Sequence, residues 1–115
     1  MKYLLLKDAR KIRRVAIQDI VCCEAQKKQQ YVYMADGTQL IQHETMARLY
    51  EMLSGCPEIV KVGVAWLVNL QHVESLTARE IQLDCGRTIY LPRGAYQALR
   101  EQYFEYYCEE GRGIM

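Results

Sequence analysis

The chain contains no apolar run near the ~20 residues that cross a bilayer as a helix. Its first apolar stretch, Tyr3-Leu4-Leu5-Leu6, is closed by Lys7 and Asp8, too soon for the core of a secretory signal. No membrane insertion and a cytoplasmic location are therefore expected. Only two prolines occur, and no internal repeat or low-complexity segment marks a linker, so residues 1–115 are read as a single domain. The five cysteines are odd in number and form no C-x-x-C pair, which argues against a disulfide framework or a zinc site. His72 has no Cys, Asp or Glu at ligand spacing, so no metal is expected there. There is no nucleophile elbow, P-loop, H-E-x-x-H or dinucleotide fingerprint, so neither enzymatic activity nor a cofactor is expected.

Charge of one sign is scarce overall, since the net is +1, but its distribution is uneven. Residues 1–30 carry eight Lys/Arg against three Asp/Glu, whereas residues 31–115 carry seven against eleven. The basic third can face a polyanion, although most such charges are simply solvated.

What the chain does have is a succession of short strand patterns. Tyr3–Lys7 and Lys11–Ile17 flank a turn at Asp8-Ala9-Arg10. Ile20–Ala25 is an apolar run of strand length, and Tyr31–Met34 meets the hairpin signal Asp36-Gly37, with Thr38–Gln42 returning. Met46, Leu49, Tyr50 and Leu53 then follow helical spacing until Ser54-Gly55 and Pro57 stop it. Glu58–Val64, Trp66–Leu70, Val73–Leu76, Glu80–Leu83 and Thr88–Leu91 read as further strands. Ala95–Glu110 reads as a terminal helix with Tyr96, Leu99, Tyr103 and Tyr106 on one face, followed by a frayed tail at 111–115. Many short strands with one central and one C-terminal helix predict a β-rich, antiparallel α+β domain.

Three segments carry a resemblance. They are Ile17-Gln18-Asp19-Ile20-Val21-Cys22-Cys23-Glu24-Ala25, the stretch Lys61 to Leu76 containing Val68-Asn69-Leu70, and Leu83-Asp84-Cys85-Gly86-Arg87-Thr88-Ile89-Tyr90-Leu91-Pro92-Arg93. In this order and spacing, over about 15–107, the chain resembles the LytTR family, the DNA-binding output domain of many bacterial response regulators. The resemblance implies an elongated arrangement of about ten short strands in small antiparallel sheets. It also implies sequence-specific binding of double-stranded DNA in transcription regulation, with loop side chains entering successive grooves.

Carried over residue by residue, the resemblance assigns DNA contacts to three places. The loop Gln26–Gln30 offers Lys27 and Lys28 for phosphates, and Gln29 or Gln30 for an adenine edge. The third place offers Arg93 for guanine, with Pro92 where the family has serine and Gly94 where a polar side chain is frequent. At the second place the family's polar trio is replaced by Gly63-Val64-Ala65, which leaves Val64 for a thymine methyl and Lys61 nearby. The partners implied are paired DNA repeats bound by two copies, and a receiver domain or regulatory protein. The chain starts too near the first matched strand to include a receiver, so an excised output domain or a stand-alone regulator is expected. The loss of the polar trio and the low net charge point to an alternative. In it, the fold serves as a protein-interaction module that uses the Gly63-Val64-Ala65 face and the tyrosine-rich helix.

Overall fold

The computed structural model describes residues 2–7 and 10–109, with only the backbone of Glu109. The tail 111–115 and most of the turn expected at Asp8-Ala9-Arg10 lie outside the described residues. Among those described there are ten strands: β1 (Tyr3–Lys7), β2 (Ile12–Ala16), β3 (Ile20–Gln26), β4 (Gln29–Met34), β5 (Gln39–Gln42), β6 (Ile59–Val62), β7 (Trp66–Asn69), β8 (Val73–Leu76), β9 (Glu80–Leu83) and β10 (Thr88–Tyr90). Helix α1 (Met46–Met52) follows β5, and α2 (Tyr96–Glu109) ends the fold. The strands form three antiparallel sheets: the hairpin β1-β2, the triplet β10-β9-β8, and a five-stranded sheet in the order β5-β4-β3-β7-β6. The molecule measures 48 × 31 × 25 Å, so the β-rich, elongated α+β architecture expected from the sequence is the one found.

The central sheet is covered on both faces. This is why β3 reads as a nearly continuous apolar run and not as an alternation. On one face Ile20, Cys23, Val32 and Leu67 pack against Leu4, Leu6 and Val15 of the first hairpin and Leu49 and Leu53 at α1. On the other, Val21, Cys22, Val60, Val62 and Val68 pack against Ile81, Leu83, Ile89 and the α2 residues Leu99 and Tyr106. Two consecutive residues, Val21 and Cys22, face the same core because the β3–β4 register shifts between Ile20 and Cys22. An extra residue in one strand breaks strict alternation in this way.

Helix α1 begins where Thr45 Oγ1 accepts the Arg48 amide at 3.1 Å, which satisfies one of the amides left unpaired at a helix start. Asn69, fully buried, has a structural role. Its amide nitrogen donates to the Ile20 carbonyl at 2.8 Å and the Ile17 carbonyl at 3.3 Å, and its oxygen accepts the Gln71 amide at 2.9 Å. It ties two 3₁₀ turns, Ile17–Asp19 and Leu70–His72, that no periodic pattern announces.

The tyrosines of α2 turn inward. Tyr103 donates to the Val73 carbonyl at 2.9 Å, Tyr107 donates to the Leu70 carbonyl at 3.1 Å, and Tyr106 accepts from the Gln71 side chain at 2.9 Å. They dock the helix on the β8 region, so the tyrosine face expected as a contact surface is already occupied within the fold.

Candidate nucleic-acid interface

The strand order fixes which loops lie together. At one end of the central sheet β5 ends, β3 turns into β4, and β6 turns into β7. Four interstrand steps of about 4.8 Å make this rim about 19 Å wide.

The β3–β4 connection is tighter than the expected loop at 26–30. Gln26 pairs with Gln29, so only Lys27 and Lys28 form the turn, while Gln29 and Gln30 belong to β4. Lys27 has φ 49°, the left-handed region that a two-residue hairpin demands and that Gly or Asn ordinarily supplies. Gln29 is exposed, and its side-chain oxygen accepts from the Tyr31 hydroxyl at 2.9 Å. Gln30 is only 9% exposed, because alternation turns it to the face opposite Gln29, where it pairs with buried Gln42.

The β6–β7 connection is Gly63-Val64-Ala65, between the paired Val62 and Trp66. Gly63 has φ 60°, which ends β6 at Val62, two residues earlier than the strand expected over Glu58–Val64. Val64 stands at the tip with 90% of its surface exposed. The Ala25 amide donates to the Ala65 carbonyl at 2.8 Å, which fastens this turn beside the lysine hairpin. Lys61 is exposed on the α1 side of β6, with its ammonium 5.7 Å from the Tyr50 ring centre, and so points away from the tip.

After β10 the chain makes a turn in which the Ala95 amide donates to the Pro92 carbonyl at 3.1 Å. Gly94 has φ 83°, the value needed at the third position of a type II turn, which accounts for glycine there. Arg93 is exposed at the corner. The Pro92 ring lies against Gly63, where a Cβ would come within 3.0 Å of Pro92 Cγ. The Lys27-Lys28, Gly63-Val64-Ala65 and Pro92-Arg93-Gly94 turns are therefore neighbours along one rim, while Gln30 and Lys61 face elsewhere.

Glu24, two residues before Gln26, is held inward. Its Oε1 accepts from the Tyr33 hydroxyl and from the Gln26 amide, both at 2.8 Å. Burial, aided by that bond to Glu24, pushes the Tyr33 hydroxyl up to about 12, so it stays a donor at neutral pH. The Arg87 guanidinium covers the Tyr33 ring at 3.8 Å, joining the β9–β10 turn to the central sheet. His43, which directly follows β5, was not expected at the rim. Extending the β4–β5 pairing by one residue sets it opposite Gln29, and the Asp36-Gly37 hairpin is the signal from which that register can be counted.

Among the described residues no group of three His, Cys, Asp or Glu could hold a metal ion, and no helix is long and apolar enough to cross a membrane.

The sequence profile of the LytTr DNA-binding domain matches residues 10–104. No curated protein matches the chain. Among solved structures, the chain is similar to the LytTr DNA-binding domain of a protein described as a methyl-accepting/DNA response regulator from Bacillus cereus. The TM-score is 0.69 at 17% identity, covering 89% of this chain and 96% of that one. With four-fifths of its length under one family profile and the corresponding fold, this chain belongs to the LytTR family of DNA-binding domains, whose general role is DNA binding in transcription regulation.

Proposed function

We propose that this domain binds double-stranded DNA sequence-specifically through the rim formed by the 27–28, 63–65 and 92–94 turns. The carrying observation is the alignment of these turns, fastened by the Ala25–Ala65 hydrogen bond and the Gly63–Pro92 approach. Lys27 and Lys28 pair with phosphates and set the register. Arg93, exposed at a turn corner, suits the O6 and N7 acceptors of guanine. Gln29 reaches an adenine edge from the foot of the hairpin, and Val64 touches a thymine methyl. Gln30 and Lys61 are given supporting roles, the first in shaping the hairpin and the second as a cation on the α1 side of the sheet, over Tyr50.

The reading extends to one structural domain over the chain, bound as two copies on paired repeats and working in the bacterial cytoplasm under a receiver domain or other regulatory protein. It involves no catalysis and no cofactor. The interaction-module reading retains only the Val64 turn, since the tyrosines of α2 are engaged within the fold.

Selection from random duplexes at near-physiological salt, run in parallel with Arg93→Ala, tests the proposal. A repeated motif should be enriched, and Arg93→Ala should relax one position of it, at about 1–3 kcal/mol of lost discrimination. Weak, salt-sensitive binding that is identical in both proteins and enriches nothing would overturn sequence-specific recognition.

A further inference from the structure

A groove of about 490 Å³ lies between the end of the β1–β2 hairpin where Lys7 pairs with Ile12 and the free edge of β5. Lys7, Lys11, Arg13 and His43 line it, together with Gln29 and Gln39, above an apolar floor that includes Leu6 and Ile41. Its lining, among the described residues, contains three permanent cations and no carboxylate. Arg13 is placed there by register. It pairs across from buried Leu6, which turns its side chain to the face of the hairpin that meets the central sheet and not to the outer face. The groove is contiguous with the rim, because Gln29 lines it and directly follows the Lys27-Lys28 turn, and His43 lies at the end of β5 beside it.

We infer that this groove is a phosphate-binding subsite that extends the DNA interface past the lysine hairpin, along the duplex backbone. The inference rests on the DNA-binding reading above and adds a fourth station to its three turns. A row of cations over an apolar, open floor suits a chain of phosphodiesters. Each cation can neutralise one phosphate and release its counterion, and base reading is left to Gln29, where the groove meets the rim, and to the rim itself. The groove would therefore add affinity and salt dependence without adding sequence preference. Arg93 would do the opposite, since a fork on a turn corner reads a base.

The test is the salt dependence of binding, measured by fluorescence anisotropy on a random-sequence duplex and on the selected motif. Wild type, Lys7→Gln/Arg13→Gln and Lys11→Gln are compared, with circular dichroism as the check on folding. The slope of log affinity against log salt should fall by about 1.8 for the double variant and about 0.9 for Lys11→Gln. The loss of affinity between about 50 and 200 mM salt should accordingly shrink roughly tenfold for the double variant. The ratio of motif to random affinity should stay unchanged. Slopes equal to wild type in folded variants overturn the subsite and leave the rim reading intact. Slopes that fall as expected on random duplex, with no motif selected by any protein, uphold the groove and overturn sequence-specific recognition. No duplex binding by wild type even at low salt overturns both.

Discussion

Gly63 and Pro92 approach so closely that a methyl group on Gly63 would sit 3.0 Å from Pro92 Cγ. Two turns far apart in sequence thus meet at a position that only glycine fills without strain, since Gly63 also has φ 60°. Gly63→Ala should cost about 1–2 kcal/mol for the left-handed backbone alone, plus the crowding against the ring. Urea unfolding of Gly63→Ala, Pro92→Ala and the pair separates the two contributions. The double variant should recover part of the loss but not all of it, because removing the ring does nothing for φ. Strict additivity would mean that the Gly63–Pro92 contact carries no energy.

Asn69 bridges two carbonyls and one amide from full burial. Asn69→Leu keeps the volume but takes the side-chain partner from the Ile20 carbonyl and the Gln71 amide, while the Ile17 carbonyl keeps the Ile20 amide. Each unsatisfied buried group costs about 1–3 kcal/mol, so a loss of at least about 2 kcal/mol is expected in the urea midpoint. A change below about 0.5 kcal/mol would show that these backbone groups find water or other partners.

The strand succession was legible in the sequence because strand alternation and the turn signals at Asp36-Gly37 and Cys85-Gly86 depend only on near neighbours. The lysine hairpin was read as a five-residue loop because Lys27-Lys28 lacks the glycine or asparagine that normally announces a two-residue turn. The 3₁₀ turns were not legible, since their support comes from Asn69, some fifty residues from Ile17. For the site, the family pattern named residues at all three turns, but it could not tell that Gln30 turns inward or that Lys61 lies over Tyr50. Those facts follow from register and from tertiary contact. The groove beside β5 joins residues from positions 6 to 43, and no local pattern connects them.

The thiols make alkaline stability a measurable consequence of burial. Burial pushes Cys23 from 9.0 up to about 12 and raises Cys22 further, with the neighbouring Cys23 adding to the effect. Both thiols stay protonated in the folded chain while the unfolded chain ionises above about 8.5. The folded state then holds more protons than the unfolded one, so stability is fully present below pH ~8.5 and falls as pH rises toward the folded values. The expected slope is about 1.4 kcal/mol per pH unit for each thiol. Cys22→Val/Cys23→Val should flatten the profile of unfolding free energy between about pH 9 and 11. In the native protein at pH 8, iodoacetamide should label the exposed Cys85 and Cys108 and spare Cys22 and Cys23. An unflattened alkaline limb in the double variant would assign the effect to other groups, Tyr33 first among them.

Lys27 offers a test that separates stability from binding. It is the one non-glycine residue with positive φ among those described, and it stands at the tip of the rim. Left-handed backbone costs a β-carbon residue roughly 1–2 kcal/mol, while glycine gives back roughly 0.5–1 kcal/mol through its freer unfolded chain. Lys27→Gly should therefore stabilise the fold by about 0.5 kcal/mol. Lys28→Gly, at ordinary φ, should lose about as much. Both should weaken duplex binding, each lowering the salt slope by about 0.9. Opposite signs on stability with the same sign on DNA affinity would mean that the hairpin tolerates backbone strain at Lys27 for the sake of a cation facing the phosphates. If Lys27→Gly raised the urea midpoint and left affinity and salt slope unchanged, the tip of the hairpin would stand clear of the duplex, and the rim would have to bind through Val64 and Arg93.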